Sequence, residues 1–261
     1  MNRKQWDPVI SQFLNPVSSR LIHRLALQPG HAVLDVATGT GEPGLTIASL
    51  HPQVSVTGTD IAANMLQIAA DKAGSQQLNN YRTHCCEAAS MPFADQSFDA
   101  AICRNGVMFF SNVSAALNEI YRVLKPGGNI AVSTWGVLDK NLWINVVLDT
   151  ITEVTHHKSY NRHRPGMFYC MQPGTMTDWF ETANFSDITE EEMTGVVEFT
   201  SMDDYWYYVT TVSADVVNAL REVPELIRNE IRTAVMRKID HHNLNGRIYF
   251  QWSMHITSAH R

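Results

Sequence analysis

The residues with the most chemical content sit in one short stretch near the N-terminus. Gly39-Thr40-Gly41-Glu42-Pro43-Gly44 spells G-x-G-x-x-G. Glycines at that spacing let a backbone approach a ligand closely, and a helix opening behind them presents unpaired N–H groups. Alone, the pattern fits a dinucleotide as well as other nucleoside ligands, and each glycine also suits a plain tight turn. Asp60 closes the next apolar run. A carboxylate there can accept hydrogen bonds from both hydroxyls of a ribose, or can cap the helix that follows.

Asp35 separates the ligand classes. It stands four residues before Gly39, where a carboxylate would repel a pyrophosphate and attract a cationic amino-acid group. S-adenosylmethionine carries an ammonium and a sulfonium, so Asp35 favours it over NAD. The same carboxylate could instead accept N–H bonds and fix the loop, and the two roles are compatible. Three more positions fit a nucleoside site. Glu87 can accept from an adenine amino group, the Ala88 N–H can donate to a ring nitrogen, and Arg104-Asn105-Gly106 follows a strand that ends in the same crevice.

The elements that must position these residues read from periodicity. Short apolar runs at Ala32–Ala37, Val54–Asp60, Tyr81–Cys86, Phe98–Cys103 and Ile130–Thr134 predict five strands. Helices are expected over about 42–50, 63–73 and 111–124, the last stopped by Lys125-Pro126-Gly127-Gly128. Alternating strands and helices mean a parallel, doubly wound sheet. Phe13, Val17, Leu21 and Leu25 mark an amphipathic lead-in over residues 1–30, which Pro16 is expected to divide into two short helices. Beyond residue 135 the sequence predicts helices over 142–155, 177–184 and about 201–240. It predicts strands at Val196–Thr200 and Arg247–Thr257, the latter alternating strictly. One domain over 1–261 is expected: a lead-in to residue 30, a cofactor-binding core over 31–135, and remaining strands plus a cap over 136–261 with a helical insertion at about 201–245.

Composition narrows the partners. The chain has 261 residues, 44% of them apolar and 18% charged, with a net charge of −6. That composition excludes disorder and coiled coil, and the acidic balance gives no general attraction for nucleic acid. Four cysteines without a CxxC pair make neither a disulfide framework nor a zinc site, and adjacent histidines at 156–157 and 241–242 point apart, so no metal is expected. No leader, no apolar run of spanning length and reduced cysteines together read as a cytoplasmic protein, monomer or homodimer.

The segments VLDVATGTGEPG, VTGTDIAANML, CEAASMPFADQSFDAAICRNGVMFF and EIYRVLKPGGNIAVSTW resemble, in order and spacing, the motifs of class I S-adenosylmethionine-dependent methyltransferases. The ubiquinone/menaquinone-biosynthesis C-methyltransferases are the most similar subgroup. The resemblance spans about residues 31–135. It implies a seven-stranded, mostly parallel Rossmann-like sheet whose antiparallel last strand lies beside the fifth. It also implies that Asp35, Thr38, Gly39 and Gly41 form the methionine-side loop. Asp60 would hold the ribose, with Ile61 and Met65 against adenine, and Glu87 and Ala88 would read the adenine edge. The Arg104 carbonyl would face the amino group, with Asn105 nearby. The family more often carries Asp where this chain has Glu87.

Methyl transfer from a sulfonium needs position and a water-poor pocket more than a catalytic side chain. The Asn/Asp-Pro-Pro-Tyr/Phe signature of many amino-group methyltransferases is absent after the fourth strand, so an O or C atom of a small organic acceptor is expected. Pocket or lid candidates are Trp6, Phe109, Trp135, Tyr169, Tyr205, Trp206 and Tyr208. Base candidates are His156, His157, Tyr160 and His163. Two other readings compete: a protein that binds S-adenosylmethionine without methylating, and an NAD-dependent oxidoreductase.

Overall fold

A computed structural model describes residues 7–157 and 164–261. Trp6, Tyr160 and His163 lie outside the described residues. The strands are β1 (Ala32–Val36), β2 (Ser55–Asp60), β3 (Tyr81–Cys85), β4 (Phe98–Arg104), β5 (Leu124–Trp135), β6 (Ser186–Phe199), the two-residue β7 (Asn243–Leu244) and β8 (Arg247–His260). They form one sheet in the order β3-β2-β1-β4-β5-β8-β6, with β7 paired to β8. Every pair from β3 to β5 is parallel, and β8 runs antiparallel between β5 and β6. This is the mostly parallel Rossmann-like sheet that the sequence implies.

The apolar runs become buried strands because helices cover both faces of the sheet. Val33, Leu34, Val36, Ala100, Ala101 and Ile102 are all essentially inaccessible. Helices α2 (Gly44–Leu50), α3 (Ala63–Ser75) and α4 (Val113–Val123) follow β1, β2 and β4. The α4 stripe predicted from spacing is buried: Val113, Ala116, Leu117 and Ile120. Asn112 caps it by accepting from the Ala115 N–H at 3.0 Å.

Three expectations change. The lead-in is one helix, α1 (Asp7–Arg24), with Pro16 inside it. An internal proline costs roughly 3 kcal/mol, and tertiary anchoring outweighs that here. Phe13, Val17, Leu21 and Leu25 are buried on both sides of the proline, which itself faces solvent. The Gln12 side chain exchanges two hydrogen bonds with the Glu198 backbone, and Arg20 and Arg24 both reach Glu191. The fifth strand starts at Leu124 rather than Ile130, its register against β4 slipping between Phe98 and Ala100. The sixth covers Ser186–Phe199 rather than Val196–Thr200. Each glutamate of Glu190-Glu191-Glu192 has a partner. Glu190 accepts from the Gly174 N–H, Glu191 pairs with the two arginines, and Glu192 pairs with Lys140 and Ser253.

The second half otherwise follows its periodicity. Helix α5 (Leu142–Thr155) has the predicted bounds, and α6 (Thr175–Thr182) lies close to them. The stretch between β6 and β8 folds as α7 (Met202–Val212), α8 (Ala214–Leu220) and α9 (Glu225–Ile239), broken at the capping Ser213 and at Pro224. On β8, Ile248, Phe250, Trp252, Met254 and Ile256 are all buried on one face. Among the described residues no helix is long and apolar enough to cross a membrane.

Candidate functional site

The site forms at the carboxyl ends of β1 and β4, where strand order reverses and a crevice opens. Three devices build it. The first is the turn after β1. Gly39 has φ +56° and Gly41 φ +105°, both left-handed conformations that favour glycine. A Cβ on Gly39 would meet nothing nearer than the Met65 sulfur at 3.9 Å, so the space above the loop is open. A Cβ on Gly44 would lie 2.6 Å from Asp35 Oδ2, so that glycine is required for the loop to close on the carboxylate.

The second device is a pair of carboxylates with different tasks. Asp60 Oδ2 accepts from the Gly39 N–H and Oδ1 from the Ala62 N–H, each at 2.9 Å. One carboxylate thus ties the β1 loop to the start of α3. It is only half-buried, and an ionised carboxylate has about four lone-pair directions, so two remain for a ligand. Asp35 lies beneath the loop. It is fully buried, and its Oδ2 accepts from Thr38 Oγ1 at 2.5 Å and from the Gly44 N–H at 2.9 Å. The Tyr81 hydroxyl stands 3.2 Å from Thr38 Oγ1. Burial pushes the Asp35 carboxyl up to about 7, against the opposing pull of Thr38, Gly44 and Arg104. The expectation that Asp35 offers itself to a cationic group is therefore corrected in its geometry. Its Oδ2 holds the loop from below, and any attraction for a cation acts through the field. Oδ1 is buried without a partner.

The third device is the end of β4. The Ser133 hydroxyl donates to Asn105 Oδ1 at 2.7 Å, and the Asn105 N–H reaches the Ser133 oxygens at 3.1 Å. Asn105 Nδ2 donates to the Met254 sulfur at 3.6 Å. These bonds hold Asn105 at φ +54°. Arg104 extends toward α1, its Nη1 donating to Ser18 Oγ at 2.7 Å. The parity of β4 carried a signal for this that the carbonyl-centred reading passed over: Arg104 shares a sheet face with Ile102 and Asp35. Ser18 and Ser133 had no signal of their own.

Around these devices sit apolar surfaces without a protein cover. Ile61 follows Asp60 directly and is 74% exposed, and Phe109 after β4 is 54% exposed. Met65 is half-buried beside Gly39. Glu87 is exposed and Ala88 half-buried in the turn after β3, which closes through the Ser90 N–H to Glu87 O bond at 3.1 Å.

The acceptor-side candidates divide. Tyr205 is fully buried, its hydroxyl donating to the Trp143 carbonyl at 2.8 Å and its ring against Phe250 and Phe199. It is core, not pocket, because the hydroxyl satisfies a buried carbonyl. Tyr208 likewise packs against Phe199 and Phe13. Trp135, 7% exposed, packs edge-on to Phe13 and against Trp143. Tyr169 is half-buried against Trp179, and Trp206 is half-buried on α7. His156 and His157 are exposed at the end of α5, and His157 lines an open groove of about 550 Å³ beside α8 rather than the strand tips. Among the described residues no group of three or more His, Cys, Asp or Glu is placed to hold a metal.

The residues present fit a nucleoside with a charged amino-acid end: an open glycine cradle, a half-free carboxylate at the end of β2 and an exposed Ile61 beside it. Comparison with known proteins agrees. Residues 33–128 match a family model described as a methyltransferase domain. A demethylmenaquinone methyltransferase from Deinococcus radiodurans is 41% identical over 100 residues, covering 38% of this chain and 41% of that one. The ubiquinone/menaquinone biosynthesis C-methyltransferase UbiE of Geotalea daltonii is 36% identical over 113 residues, covering 42% and 48%. The match thus spans less than half the length of these curated relatives. The YcgJ protein of Bacillus subtilis shares the fold, with a TM-score of 0.64 at 20% identity over 95% of this chain and 98% of that one. Residues 33–128 are thus similar to a methyltransferase domain, and to part of the methyltransferases of ubiquinone and menaquinone biosynthesis.

Proposed function

We propose that this protein transfers a methyl group from S-adenosylmethionine to an O or C atom of a small organic acceptor. The observation that carries the reading is the loop tied by Asp60. One half-free carboxylate fixes the glycine cradle and faces the same crevice as exposed Ile61. That arrangement suits a ribose and an adenine side by side. The cofactor supplies a methyl already activated on a sulfonium. The chain's part is to place donor and acceptor in line and keep water out, effects worth roughly 7–11 kcal/mol when orientation is good.

Each group then has a defined task. Gly39 and Gly41 admit the methionine end, with Thr38 and Asp35 holding the loop's shape. Asp60 accepts from the ribose hydroxyls, Ile61 and Met65 pack on adenine, and Glu87 and Ala88 take its edge. The Arg104 carbonyl and Asn105 border the amino end. Phe109, Trp135 and Tyr169 are proposed on the acceptor side, Tyr205 being excluded by its burial. His157, beyond the end of α5, lines the groove beside α8 and is not proposed as a base. The cytoplasm and a small-molecule partner remain part of this proposal.

The test is calorimetric titration with S-adenosylhomocysteine, with NAD and NADP as controls, followed by loss of methyl from S-adenosylmethionine over a panel of phenols and quinols. Binding of the homocysteine nucleoside with silence from the nicotinamides is expected. Nicotinamide binding instead would revive the oxidoreductase reading, and cofactor binding without turnover on any acceptor would favour a non-methylating protein.

A further inference from the structure

We propose that the Arg104 guanidinium binds the α-carboxylate of the cofactor's amino-acid end, and so makes the site selective for nucleosides that carry the complete amino acid. The proposal rests on the cofactor assignment above. It goes beyond it by giving the Arg104 side chain a task, where the resemblance used only the carbonyl.

Placement comes first. Arg104 is the last residue of β4, paired with Ser133 of β5, and it lies two residues beyond Ile102, the partner of Asp35 on β1. Alternation along a strand therefore puts Asp35 and Arg104 on one face of the sheet. The side chain is half-buried. It is not loose: Ser18 Oγ accepts from Nη1 while donating to the Leu14 carbonyl, so α1 holds one nitrogen at a defined position.

The rest of the guanidinium has no acceptor among the described residues. That leaves the edge made by Nε and Nη2, the fork whose geometry matches a carboxylate with two parallel hydrogen bonds. No carboxylate among the described residues uses it. Arg20, Arg24 and Arg122, by contrast, each form short ion pairs with glutamate or aspartate. Charge decides what fits. Asp35 and Glu42 supply negative field on one side of Arg104, and burial opposes the charge of the guanidinium itself. An anion arriving at Arg104 restores that balance. A ligand with an ammonium beside the anion also satisfies the acidic side. The α-amino acid group is that combination, and a nucleoside lacking it would leave the fork unused.

The experiment is calorimetric titration of the full chain with three nucleosides. S-adenosylhomocysteine has both charges, its decarboxylated analogue keeps only the ammonium, and 5′-methylthioadenosine has neither. The wild-type chain should prefer the first over the second by about 10–100-fold, as for a charge-assisted bidentate contact. Arg104→Met should erase that preference while leaving 5′-methylthioadenosine within about threefold. Arg104→Gln, which can still donate to Ser18, should do the same and covers a folding failure of the first variant. Ser18→Ala should keep the preference. If the arginine variants weaken all three ligands alike, or if the preference survives them, Arg104 is not the receptor. A wild-type chain that binds none of the three overturns the cofactor assignment, and this proposal with it.

Discussion

The two halves of the sheet use charge in opposite ways. On the β1–β4 side, polar groups are left with spare capacity. Asp60 keeps two lone-pair directions, the Arg104 fork is open, and Ile61 and Phe109 stay uncovered. On the β5–β8–β6 side, most capacity is consumed, with Thr134 Oγ1 on β5 and Trp252 Nε1 on β8 the buried exceptions. Each of Glu190, Glu191 and Glu192 is engaged, the Tyr205 hydroxyl satisfies a buried carbonyl, and Asn141 donates to the Ser253 carbonyl and accepts from its N–H. A surface that must exchange ligands keeps its hydrogen-bonding groups available. A surface that only holds the fold pairs most of them, because a buried polar group without a partner costs about 1–3 kcal/mol.

The comparison breaks most visibly at Gly39. Gly39→Val forces a β-branched residue to φ +56° and fills the open cradle. Affinity for S-adenosylhomocysteine should fall more than about 100-fold, while thermal stability drops by only the roughly 1–2 kcal/mol of left-handed strain. Unaltered titration would place the ligand elsewhere. Asp60→Ala comes next. It removes the ribose acceptor and frees the Gly39 N–H, so affinity should weaken by about 1–3 kcal/mol, read by the same titration.

Asp35→Asn tests the buried member of the pair through pH. The folded carboxyl is raised to about 7 by burial, above its unfolded value near 4. The folded state therefore holds the proton longer, and stability falls as pH rises from about 4 through 7. The wild-type chain should lose up to about 4 kcal/mol across that window relative to Asp35→Asn, whose amide oxygen can still accept from Thr38 and Gly44. Parallel denaturation curves for the two proteins at pH 5 and pH 8 would contradict the assignment. The smallest effect is expected in the second half. Tyr205→Phe should cost about 1 kcal/mol of stability by removing the buried hydrogen bond from its hydroxyl to the Trp143 carbonyl and should leave ligand affinity unchanged. A selective loss of turnover would return Tyr205 to the acceptor side.

Much of the fold was legible because its signals are local. A continuous apolar run means a strand covered on both faces, and β1, β2 and β4 read that way. So did strict alternation in β8 and the i, i+3, i+4 stripe of α4. The cradle was legible too, since only glycine suits Gly39 and Gly41. What was not legible depends on partners far along the chain. The first ten residues of β6 were not read as strand because Arg20, Arg24, Lys140 and Ser253, which pair with its glutamates, lie 50 or more positions away. Pro16 looked like a break because Glu198, which anchors that turn through Gln12, is 186 residues distant.

The same division runs through the site. Residue type and spacing by themselves pointed to the proposed nucleoside site, because a glycine turn and a carboxylate at the ends of adjacent strands suit such a ligand together. Only the tertiary structure decided how each carboxylate serves. Asp35 and Asp60 are the same residue type at the ends of neighbouring strands. One is sealed beneath Thr38 and Gly44 and the other stands half-open beside Gly39. That difference is set by burial and by which N–H groups converge on each side chain. Both are properties of packed neighbours rather than of the chain around the residue.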